Sequence, residues 1–194
     1  MSLKLIFSGL CAGALVACVS VLPEPEAPDA LYSIKAQTQF AGLTQTLTVR
    51  EPEAARLVAG QGLVSKGTDG GLRMVPRVEW AGPATRQIQY AIIDSFKPGP
   101  AGNAVAPELG ILADYELASR VSGLQLQGST AICAMVVSLI DAGDRSLIAR
   151  TEIAAQVEAV SSTARDRALA LSAAASDCAR QASQFAIEAL AERS

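Results

Sequence analysis

Ala131-Ile132-Cys133-Ala134-Met135-Val136-Val137-Ser138-Leu139-Ile140, then Asp141-Ala142-Gly143-Asp144, then Leu147-Ile148-Ala149-Arg150-Thr151-Glu152-Ile153-Ala154-Ala155-Gln156-Val157 is the stretch from which the fold is read. Residues 131–140 are apolar at odd and even positions alike, the pattern of a central strand covered on both faces. In residues 147–157, Thr151, Ile153, Ala155 and Val157 oppose Arg150, Glu152, Gln156 and Glu158, which is a strand with one wet face. The Asp-Ala-Gly-Asp segment between them supplies turn chemistry, so the pair reads as a β-hairpin.

Downstream, a long helix opens at Thr163, whose spacing to Asp166 resembles a capping box. Leu171, Ala175, Cys178, Ala182, Phe185 and Ala189 recur on its apolar face. Upstream, Tyr115, Leu117, Ser119 and Val121 alternate with Glu116, Ala118 and Arg120, which predicts a half-exposed strand. A Gly- and Pro-rich loop over 98–107 precedes it. Before that loop, Ala84, Ile88, Ala91, Ile92 and Phe96 follow Gly82-Pro83 at helical spacing, proline being tolerated in a first turn where its missing N–H has no intrahelical partner. Residues 57–66 and 71–79 read as two short strands around Gly67-Thr68-Asp69-Gly70-Gly71. Residues 44–50 give a further strand, broken by Glu51-Pro52-Glu53, and residues 31–36 alternate as a first strand. The fold class is therefore α+β: a single small domain over residues 30–194, with a mixed or antiparallel sheet packed by a middle helix and a long C-terminal helix.

The first 29 residues have a different character. Lys4 precedes an apolar run over 5–17 that is too short to span a bilayer and reads as a secretory signal. The run ends Leu15-Val16-Ala17-Cys18, which resembles the lipobox of bacterial lipoproteins. There the cysteine thiol becomes thioether-linked to diacylglycerol, and the small residue before it satisfies the signal peptidase. Cys11 follows the bulky Leu10, so Cys18 is the lipidation candidate. Residues 1–17 are then signal peptide, and 18–29 are lipid anchor and Pro-rich tether, with Pro23, Pro25 and Pro28 favouring extended polyproline II. Val19 follows the anchor where an Asp would retain many bacterial lipoproteins at the inner membrane. The expected location is the cell envelope, facing the periplasm, on the outer rather than the inner membrane.

Composition narrows function by exclusion. The 194 residues carry 16 Lys plus Arg, 19 Asp plus Glu and no histidine. Without imidazole there is no Ser/His/Asp or Cys/His nucleophile system and no His-bound zinc. An acidic balance without a basic run argues against nucleic acid as a partner. Arg50, Arg56, Arg73, Arg77 and Arg86 are scattered rather than gathered into a headgroup site. Aromatic residues make up only 4%, so a roomy lipid pocket lined by rings is not expected. The sequence predicts no catalytic, metal or cofactor-binding residues.

The order of elements carries a resemblance. The lipobox, proline tether and Leu31-Tyr32-Ser33-Ile34 strand come first. Arg73-Met74-Val75-Pro76-Arg77-Val78-Glu79-Trp80 then runs into a helix, and Asp114-Tyr115-Glu116-Leu117 starts a strand before the hairpin and terminal helix. Together they resemble the ABC-type transport auxiliary lipoprotein family over about residues 30–190. The resemblance implies a membrane-tethered accessory subunit without an active site. Its partner would be the MCE-domain substrate-binding subunit of an ABC transporter that moves lipids between membranes. It also admits a homo-oligomer. An independent structural or assembly lipoprotein, binding an outer-membrane protein or cell-wall client, is the alternative reading.

Three side chains carry two readings each. Trp80 is either core packing at a strand-helix junction or a partner contact. Cys133 on the central strand and Cys178 on the apolar face of the last helix either meet in a disulfide across the helix-sheet interface or stand apart as small buried hydrophobes.

Overall fold

The computed structural model describes residues 27–99 and 102–192. The expected signal peptide, Cys18 and most of the expected tether therefore lie outside the described residues. Eight strands form one mixed sheet: β1 (Ala30–Tyr32), β2 (Leu47–Val49), β3 (Gly62–Lys66), β4 (Leu72–Trp80), β5 (Ala104–Val105), β6 (Tyr115–Gln127), β7 (Thr130–Asp141) and β8 (Leu147–Glu158). Three helices accompany them: α1 (Arg56–Ala59), α2 (Ala84–Ile93) and α3 (Ala164–Ala191).

The hairpin is the spine of the sheet. β6, β7 and β8 are antiparallel neighbours, with Leu124 opposite Cys133 and Cys133 opposite Ala155. β6 continues well past Val121 because the register shift between Val121 and Gly123 accommodates the glycine without ending the strand. Its length lets two strands share its other edge. β2 pairs in parallel with its beginning, Leu47 opposite Tyr115, and β3 pairs in parallel with its end, Ser65 opposite Leu126. β4 joins β3 antiparallel through the expected turn, where Gly70 takes φ +81°, and β1 closes that edge parallel to β4.

One face of β6–β8 is covered by α3. Leu117, Leu126, Ala131, Cys133, Met135, Val137 and Leu139 point into this layer, all essentially inaccessible. They meet Ala168, Leu171, Ala175, Cys178, Ala182 and Ala186 on the helix. Five of those six helix residues are alanine or cysteine, so the helix axis lies close to the sheet and packing is dense without aromatic filler. The start of α3 is capped as its spacing predicts: the Asp166 N–H donates to Thr163 Oγ at 3.2 Å. α2 packs beside α3 on the same layer, where the fully buried Ser183 hydroxyl bonds Ala179 O at 3.0 Å. Gln89 of α2, also fully buried, donates to Val49 O of β2 at 2.9 Å and ties the layers together.

Several expected elements differ. Among the described residues no helix covers the second face of β7, where Ile132, Ala134, Val136, Ser138 and Ile140 are only half-buried. Neighbouring long side chains, Arg120 of β6 and Glu152 of β8, flank that row instead. Residues 57–66 divide into the short α1 and β3 and are not one strand. The first strand ends at Tyr32, because beyond it the backbone bonds to helix side chains. The Ile34 N–H donates to Gln87 Oε1 at 2.9 Å, and the Lys35 N–H donates to Ser176 Oγ at 3.1 Å.

Candidate functional site

The tether enters the domain at a built corner. The Asp29 N–H donates to Arg77 O at 2.8 Å, and the Arg77 guanidinium returns two bonds of 2.7 Å to the Asp29 carboxylate. That guanidinium holds the Asp29 carboxyl below the usual carboxylate range. Arg77 sits in β4 at φ +65°, a left-handed conformation unusual for a residue with a Cβ. Both side chains are more than half exposed, so the ion pair adds little stability. Its effect is geometric: the last tether residue is fixed to the sheet edge, one position before Ala30 pairs with Val78.

Past Tyr32 the chain runs in extended form over α2 and α3, where Ser172 Oγ donates to Ser33 O at 2.6 Å. Between this segment and α2 lies an open groove of about 810 Å³, with Gln37, Gln39, Lys97 and Asn103 among its polar walls and Ile34, Tyr90 and Phe96 among its apolar ones. A second groove of about 400 Å³, mostly apolar, lies between Phe40–Gln45 and Ile187, Leu190 and Ala191 at the end of α3. Both are clefts at the surface rather than ring-lined cavities.

Arg50, Arg73 and Arg86 sit in separate ion-pair sets. Arg50 and Arg145 share Glu116, at 3.3 and 2.8 Å. Arg86 reaches Glu51 at 2.9 Å, and Arg73 pairs with Asp69 in the β3–β4 turn. Glu116 is the least exposed carboxylate of these sets. Its hydrogen bond from Arg145, aided by Arg50 and opposed by burial, lowers its pKa. This three-residue cluster escaped the sequence reading because its members are far apart in the chain, and only strand pairing brings them together. Among the described residues no group of three His, Cys, Asp or Glu side chains converges as a metal site.

Trp80 ends β4 opposite Tyr32 and is 1% exposed, packed in the core of the chain. Cys133 and Cys178 are both fully buried and held as free thiols. Cys178 beside it, together with burial, pushes the Cys133 thiol well up.

A mixed sheet carries a helical layer on one face, with β1 as the first described strand at its edge. The chain belongs to the family described as ABC-type transport auxiliary lipoprotein component, whose model matches residues 30–183. The fold is shared with the crystal structure of protein XCC0632 from Xanthomonas campestris, a DUF330 protein. That chain is 17% identical, with a TM-score of 0.76 over 84% of this chain and 98% of that one. It is shared also with the crystal structure of an uncharacterized protein, 15% identical, with a TM-score of 0.64 over 84% of this chain and 99% of that one. No curated protein matches the chain. The protein is therefore an auxiliary lipoprotein of ABC-type transport, a component of the cell envelope.

Proposed function

We propose that this protein is the accessory subunit of an MCE-type system that moves lipid between the two membranes, held by acyl chains on Cys18 with its domain facing the periplasm. Membership of the auxiliary lipoprotein family, over a stretch that begins at the domain's first strand, is the observation that carries this reading. The lipobox-like Leu15-Val16-Ala17-Cys18 directly upstream supplies the attachment point, and Val19 favours the outer membrane. Among the described residues no helix is long and apolar enough to cross a membrane.

The mechanism is geometric. The Asp29–Arg77 corner fixes where the anchor leaves the domain. The tether from Ser20 to Asp29, at about 3.1 Å per residue, keeps the domain within roughly 30 Å of its bilayer. A partner that hands lipid onward is thereby held at a set height. Affinity purification of the tagged protein from detergent-solubilised envelopes tests this. Co-purification of an MCE-domain subunit is the expected result. Recovery of an outer-membrane protein or cell-wall client alone would replace the reading with that of an independent assembly lipoprotein.

A further inference from the structure

We propose that Cys133 and Cys178 form an intramolecular disulfide that pins α3 to the central strand of the sheet; the proposal rests on the periplasmic location argued above. The two residues lie on facing surfaces of one layer, both fully buried. An independent contact fixes the level at which they face each other. Gln181, three positions after Cys178, donates to Ala154 O at 3.4 Å, and Ala154 and its neighbour Ala155 pair across the ladder with Ala134 and Cys133. Both cysteines are free thiols in this structure and belong to the one buried cluster between α3 and the sheet.

Burial decides when the bond forms. In the folded domain neither sulfur meets solvent, and the Cys133 thiolate that would have to attack is suppressed by burial and by its neighbour. Oxidation therefore accompanies folding, before α3 closes over β7. The oxidant is a disulfide, carried by a protein or a small molecule. Its S–S bond breaks and takes up two electrons and both thiol protons, becoming two thiols, while the Sγ–Sγ bond of Cys133 and Cys178 forms. Once buried, the bridge is shielded from exchange and acts as a staple. There is no Cys-x-x-Cys spacing and no exposed sulfur to make it a redox site.

The mature protein is extracted from envelopes without reductant, denatured in the presence of iodoacetamide and weighed intact. The expected result is no alkylation before reduction, two alkylations after it, and no addition from a lipidated Cys18. Two alkylations without prior reduction, on protein that carries acyl chains and cofractionates with envelopes, would overturn the bridge and leave the location standing. Unlipidated protein recovered from the cytoplasm would overturn the location. The bridge would then be judged by refolding the full chain with Cys11→Ser and Cys18→Ser in glutathione disulfide, where failure to form a monomeric cross-link would overturn it as well. Closing a loop of about 45 residues should make the oxidised form melt about 10 °C above the reduced one.

Discussion

Leu171 and Leu169 are two residues apart on α3 and differ in environment: Leu171 is fully buried against the sheet, whereas Leu169 is 48% exposed. Truncating Leu171 to alanine removes three carbons, worth about 2.4 kcal/mol in transfer alone at roughly 0.8 kcal/mol per group. The neighbouring alanines cannot lean far into the gap, so a cavity contribution adds to this and the total comes to on the order of 3–4 kcal/mol. At about 3 °C per kcal/mol for a domain of this size, the Tm falls by roughly 10 °C. Leu169→Ala should cost less than about 1 kcal/mol. Urea denaturation followed by circular dichroism reads both, with the m-value expected to stay constant. Equal losses for the two variants, or a Leu171→Ala loss below about 1 kcal/mol, would refute the helix phase and the one-sided layer built on it.

Three other outcomes follow from the same structure. Cys18→Ser should release the protein from membranes, or leave it as an uncleaved precursor, with the domain's melting temperature unchanged; fractionation and thermal melting check both halves. A Cβ at Gly102 would lie 2.3 Å from the Gln45 carbonyl oxygen, so Gly102→Ala should destabilise by roughly 1–3 kcal/mol through separation of the β2–β5 pair, measured as a shift in urea midpoint. Glu116 has its pKa lowered in the folded state, so the protonated carboxyl is favoured in the unfolded chain. Its stabilising effect is fully present above the ordinary carboxylate range and disappears as pH falls through that range to the lowered folded value. Glu116→Gln should therefore be less stable near neutrality and converge on the parent as pH falls through and below the usual carboxylate range, which urea midpoints across pH will show.

Much of this architecture was legible because local chemistry and tertiary placement agree. The alternation in residues 147–157 matches the half-exposed β8, and the Thr163 cap marks the start of α3 to the residue. The glycines at 67–71 do make the β3–β4 turn. Failures came where a signal has two physical causes. A run apolar at every position reads as doubly covered, yet in β7 one row is only half-buried, with its central Val136 opposite the exposed Arg120 and Glu152 of the neighbouring strands. The alternation read over 115–121 stops short of the true strand, because β6 runs on to Gln127 through a register shift between Val121 and Gly123. Residues 33–36 alternate like a strand, but Gln87, Ser172 and Ser176, remote in the chain, take their backbone bonds. The site followed the same division. The burial of Cys133 and Cys178 could be read from helix and strand phase, because each lies on the buried face of a long regular element. The Asp29–Arg77 corner could not, because it depends on a left-handed backbone at a non-glycine residue, for which the sequence carries no signal.

The whole functional account turns on how the chain is attached to its membrane, and the intact mass of the protein extracted from envelopes reads that directly. The account predicts a polypeptide beginning at Cys18 and heavier than its amino acids by a diacylglyceryl group, with or without a further N-acyl chain. A processed chain whose amino-terminal residue carries no lipid would contradict it.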